Sequence, residues 1–358
     1  MSRSIKIFPL AICVACSSCA PRVATSFWKI GTEADSVRPG YTVIHAEGKT
    51  RHCYPISQWE DSADVDTYHH LHHHGVAVES ELMAYRLYFD KKQTIDVYCK
   101  RKPQLELAQS YWYPNDSLLA EGYGDDILRV SGTVGVGSVK YWNGTKQVHI
   151  NAGKRAQYIG DQTRRQASIG MLVKDWQVEG LSEEMEVQYT MYAGHRDMRC
   201  DVYTTHLIEG LCTGVQTIPA KGGKDTVTIV LPNGILLASW GTDWPVNDTV
   251  KYGKETVGLG VFIPKAYAGT PVHDKQNNLC LLKLSEFSSQ NSDRYTAHFY
   301  LTVCGATKEN HPVATNATEW YAYLLKWAKS LRYFRKPLPN PTEARLEGEE
   351  EHHTLPCC

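Results

Sequence analysis

Five histidines, His69, His70, His72, His73 and His74, crowd six positions directly after Tyr68. Imidazole changes charge near neutral pH, so one of His72, His73 or His74 could serve as a general base or a sugar contact. In an extended chain His70, His72 and His74 would share a face, and two imidazoles at that spacing can grip one divalent metal. Glu79 or Glu81 could then add oxygen ligands. The plainer reading is a solvated polar loop. Tyr85 and Arg86 follow. As strand neighbours they would point to opposite sheet surfaces, so only one can line a groove. An ion pair of Arg86 with Glu81 or Asp96 is the competing role.

Three later groups could also touch a substrate. Asp125 and Asp126, in the glycine-rich GYGDD, could hold a sugar hydroxyl or a cation, or simply cap a turn. His195, Arg196 and Asp197 stand together at an expected hairpin tip. Trp240, Asp243 and Trp244 combine indole faces, which stack on the C–H face of sugars, with a carboxylate that accepts hydroxyl bonds. Trp240 could equally belong to the core. No GxSxG, HExxH or GxxxxGK[ST] pattern occurs.

The elements that must carry these residues are mostly strands. Residues 81–89 and 94–99 alternate apolar and polar side chains around the turn 90–93, which predicts a β-hairpin. Comparable runs at 166–177, 185–191, 227–230, 235–240, 258–263, 279–284 and 297–303 continue the pattern. A helix is expected after Asn316 or Thr318, with Trp320, Tyr323, Leu324, Trp327 and Leu331 at helical spacing, and a short one over 115–121. Without strand–helix alternation, the fold class is all-β, a large antiparallel sandwich with a C-terminal helix. One domain is expected over 20–334, followed by a disordered Pro-rich and acidic tail over 335–358.

The N-terminus predicts export. Arg3 and Lys6 precede a short apolar run, too short to span a bilayer, then small residues and cysteines. Residues 1–19 read as a lipoprotein signal peptide with Cys16, or alternatively Cys19, lipidated; plain secretion is the alternative. The expected location is the periplasm or cell surface, membrane-anchored through lipid. With Lys plus Arg at 38 and Asp plus Glu at 39, nothing draws the chain to nucleic acid. The 21 Tyr and 9 Trp against 7 Phe suit a half-wet sugar groove, or merely strands. The scattered cysteines beyond the signal have no C-x-x-C spacing, and some could pair under oxidising conditions. Cys304 lies in an apolar strand pattern and reads as a buried thiol.

Residues 72–100, 121–144, 239–245 and 258–264 resemble the family of the domain of unknown function 4861, from secreted proteins of polysaccharide-foraging Gram-negative bacteria. The resemblance runs over about residues 50–332. It implies a large β-supersandwich similar to galactose mutarotase and to polysaccharide lyase domains, in company with pectin- or uronate-degrading enzymes. The expectation is therefore a monomer that processes uronate-containing oligosaccharides without an organic cofactor; a divalent metal at the histidine block is the variant. In a lyase version Arg86 or Arg196 neutralises the uronate carboxylate, a histidine of the 72–74 group takes the C–H proton, and Tyr85 protonates the leaving oxygen. A hydrolase version uses Glu79, Glu81 or Asp125 as the acid. A non-catalytic carbohydrate-binding module is the alternative.

Overall fold

The computed structural model describes residues 22–331, apart from 47–48, 63–64, 66, 111–112, 221–222 and 289–292. The signal segment with Cys16 and Cys19, and the tail over 335–358, lie outside the described residues. The chain is mostly β, and all of its strand pairings within sheets are antiparallel.

The period-2 pattern becomes two facing layers. Strands Gly75–Ser80, Met83–Tyr88 and Ile95–Cys99 form the centre of a five-stranded sheet, edged by Val23–Ser26 and Asp125–Asp126. Opposite stands an eleven-stranded sheet that includes Gln166–Val178, Leu181–Tyr192, Met198–Thr204, Asp293–Gly305, Glu255–Pro264 and Gly234–Asp243. Val76, Tyr85, Leu87 and Val97 from the first layer share one core with Ile169, Val187, Val202, Leu259 and Leu301 from the second. A second five-stranded sheet containing Leu211–Gln216 and Asn277–Leu282, and a three-stranded sheet near the N-terminus, complete the sandwich. Cys53, Cys99, Cys200, Cys212, Cys280 and Cys304 are buried free thiols, not disulfide partners.

The expected C-terminal helix spans Ala317–Ser330, and Asn316 caps it by accepting from the Glu319 amide at 3.0 Å. Asn115 likewise caps Asp116–Ala120. The long helix seals part of the large sheet's outer face. Its Trp320, Leu324 and Trp327 pack with Leu236, Trp240, Phe262, Tyr300 and Cys304. Closeness there depends on Gly258, where a Cβ would come within 2.7 Å of the Trp320 indole. Gly258→Ala should therefore cost about 1–3 kcal/mol through overpacking. Gly253→Ala, with open space around it, should stay within about 0.5 kcal/mol of the parent in chemical denaturation.

Candidate functional site

Strand Met83–Tyr88 alternates as a half-buried strand must. Met83, Tyr85 and Leu87 enter the core, which sends Arg86 and Tyr88 to the other surface. Arg86 is nevertheless 0 % exposed. It lies opposite Asp96 in the ladder and pairs with that carboxylate, and the same nitrogen, Nη2, reaches Asp126 Oδ2 at 2.8 Å. Tyr98 and Tyr113 flank the guanidinium, with ring centres 6.0 and 5.8 Å away. The Tyr88 hydroxyl donates to Asp96 Oδ2 at 2.9 Å. Burial works against the charge on Arg86, but Asp96, Tyr88 and Asp126 outweigh it and hold its pKa well above the ordinary value. Burial, then the neighbouring Asp96, raises the pKa of Asp126 well above its ordinary value. Burial and Asp96 likewise keep Tyr88 a neutral phenol.

This cluster is the floor of an open cleft of about 250 Å³. Tyr88, Asp96 and Asp126 face it, Tyr113 forms a wall, and Lys92 and Arg129 bring positive charge. Pro245, Val246 and Asn247 close the opposite rim. Arg129 bonds Asp243 at 3.2 Å with 38 % of its side chain still exposed, so the tryptophan-bearing loop is tied to the cleft edge. The arrangement offers two buried carboxyls and a phenol to a ligand, with two cations in the same lining.

The histidine block stands beside the cleft rather than in it. It is not a strand: Thr67–His70 is one helical turn and His72–His74 a 3₁₀ turn, with His73 and His74 at φ of 58° and 60°. That left-handed conformation is unusual for a residue with a Cβ. It turns the chain so that His72 Nε2 donates to the Ser110 carbonyl at 2.9 Å and His73 Nε2 to the Leu107 carbonyl at 2.8 Å. The two rings stack with centroids 4.1 Å apart. His74 meets the edge of the Tyr88 ring at 5.1 Å, the block's contact with a cleft residue. His73 is 0 % exposed; burial, then His72 and Arg86, push its pKa well below 6.5. The two Nε2 atoms are thus committed to carbonyls, and all three rings of the 72–74 group are buried away from solvent and from the cleft lining. No group of three or more His, Cys, Asp and Glu among the described residues is arranged to hold a metal.

Several other expected site residues are spent on holding loops. Glu79 pairs with Lys100 and accepts from the Glu106 and Leu107 amides at 2.8 and 3.0 Å. Glu81 pairs with Arg22 and accepts from Gly194 N at 3.0 Å. The Tyr85 hydroxyl donates to the Arg196 carbonyl at 2.6 Å, and Arg196 grips both Glu309 oxygens at 2.9 and 3.1 Å. His195 bonds Asp197 at 3.2 Å, which raises its pKa. Asp125 faces away from the cleft toward Lys308, 3.9 Å off. Trp240 lies in the core under the C-terminal helix. Of the expected set, Asp126 lines the cleft, Arg86 lies beneath it bonded to Asp96 and Asp126, and Asp243 with Trp244 stands at its edge. Tyr88, Lys92, Tyr113 and Arg129 escaped the sequence reading. An aromatic or a cation in a strand or loop carries no signal of its own until the chain brings it to a cleft.

Fold and site together define an all-β, multi-sheet sandwich with one acid-floored, basic-rimmed cleft. The chain belongs to the DUF4861 family: residues 39–334 match its domain of unknown function. No curated protein matches the chain.

Two stability effects follow. Removing Arg86 charge, as in Arg86→Met, strands two buried carboxyls and should cost about 3–5 kcal/mol in denaturant titration. For His73, an unfolded imidazole titrates near 6.5 while the folded one stays neutral. Below that pH the unfolded chain binds the extra proton, so the fold loses stability as pH falls. Relative to His73→Gln, wild type should lose about 1.4 kcal/mol per pH unit below about 6.5. Parallel pH–stability curves for the two proteins would contradict a neutral, buried His73.

Proposed function

We propose that this protein, exported and lipid-anchored, acts on uronate-containing oligosaccharides in the Arg86–Asp96–Asp126 cleft by acid–base chemistry. One observation carries the reading: the Asp96 and Asp126 carboxyls, the latter raised in pKa by burial and by its neighbour, meet the Tyr88 phenol at a sugar-sized cleft that Lys92 and Arg129 also line. Asp126 supplies the proton to a leaving glycosidic oxygen. Arg86 positions both carboxyls through a single nitrogen, which sets them close together rather than on opposite sides of a wide gap. Lys92, and Arg129 through the part of its side chain that the Asp243 pair leaves exposed, suit a substrate carboxylate, because Arg86 is buried between its own two partners. In lyase chemistry Arg129 would acidify the C–H beside that carboxylate and the Tyr88–Asp96 pair would manage the proton. In hydrolysis Asp96 and Asp126 act as the carboxyl pair.

The test is incubation of the mature protein with pectic and glucuronate oligosaccharides, followed by mass and by absorbance of unsaturated uronates. New absorbance means elimination; a mass gain of water without it means hydrolysis. Asp126→Asn and Tyr88→Phe should each lower kcat by about 10²–10⁴-fold. Unchanged rates in both would remove the cleft floor from the chemistry. Saturable binding without turnover would make the protein a glycan-binding module.

A further inference from the structure

The cleft does not end at its rim. The Tyr113 ring in its wall lies 6.3 Å from the Tyr252 ring, and Lys251 Nζ sits 5.4 Å from the Tyr252 centroid. Across the rim, Trp244 adjoins the cleft-lining Pro245, and Lys254 Nζ sits 5.6 Å from its indole. Both lysines are exposed, and both rings are half-buried. Cations and rings thus alternate along the loop 243–254, continuous with Lys92 and Arg129 inside the cleft.

The loop's acids have partners other than Lys251 and Lys254. Asp243 is held by Arg129, Asp248 caps the turn by accepting from the Val250 and Lys251 amides at 3.1 Å each, and Glu255 faces Lys308 at 3.0 Å. A lysine resting over an aromatic ring keeps a restricted position at a surface. Ring faces suit sugar C–H surfaces, while the ammonium groups suit carboxylates. Isolated surface cations would attract any anion weakly. Cations interleaved with ring faces ask for a ligand that repeats both features along a line.

We propose that the 243–254 loop, with Tyr113, provides further subsites for a linear, carboxylate-bearing glycan, so that the cleft holds the reacting unit and the loop holds its neighbours. This rests on the oligosaccharide reading of the cleft. The substrate is then a chain of several acidic sugars rather than a free mono- or disaccharide.

The measurement is tryptophan fluorescence and calorimetric titration of the full mature chain with galacturonate oligomers from the dimer to the hexamer. Each occupied subsite adds affinity, so hexamer should bind at least about ten-fold tighter than dimer, a difference of about 1.4 kcal/mol. The advantage should shrink on raising salt, and Lys251→Ala with Lys254→Ala, or Tyr252→Ala with Trp244→Ala, should bring the hexamer-to-dimer ratio toward one. Equal affinity for dimer and hexamer would overturn the subsites while leaving the cleft reading in place. A neutral hexasaccharide bound as tightly as the acidic one would overturn the role of the lysines. If no oligomer of any length binds or is processed, the cleft reading falls and the subsites fall with it.

Discussion

A guanidinium without solvent must be surrounded by strong acceptors, and Arg86 obliges the fold around it to supply two carboxyls. Its strand neighbour Asp96 is provided by ladder register, but Asp126 has to be brought from the far side of strand Ile95–Cys99. That short edge strand exists in the ladder at Tyr98 and Cys99, and it places the second carboxyl against the same nitrogen. The cost of an unpaired buried charge makes the arrangement all-or-none. The cleft floor is the solvent-facing side of this one cluster.

The residues with the most reactive-looking side chains are chiefly braces. Glu79 and Lys100 pair out of solvent, while Glu79, His72 and His73 bond the backbone at Glu106, Leu107 and Ser110, which fastens the loop over the first sheet's outer surface. Ser80, Glu81 and Tyr85 clasp the turn at 194–196 from the large sheet. The physical reason is common to both sites. A loop buried against a sheet carries backbone groups that no ladder satisfies, so side chains with strong donors and acceptors are recruited to satisfy them.

Local order was readable because it is written in local pattern. Alternation located the 83–88 and 95–99 hairpin, Asn316 marked the start of the terminal helix, and opposite faces for Tyr85 and Arg86 followed from the two-residue period. The Arg86–Asp96 pair was legible for the same reason, since hairpin partners are close in sequence. The histidine block misled because an extended reading ignored two consecutive residues in the left-handed region. Nothing in the residue types HHH announces that conformation.

By itself, then, the chain of residues determined an all-β sandwich, its hairpins and its capped helix, and narrowed the ion-pair partner of Arg86 to Glu81 or Asp96. These depend on spacing of a few positions and on periodic burial. Only tertiary structure decided which polar groups meet water. Tyr113 and Arg129, and the loop near residue 245, come from segments separated by many residues and converge only when the sheets pack. The same packing buried His73, Glu79, Asp96 and Asp126 alike but set only the two aspartates against a cleft, because such placement belongs to the assembled surface and not to any residue in it.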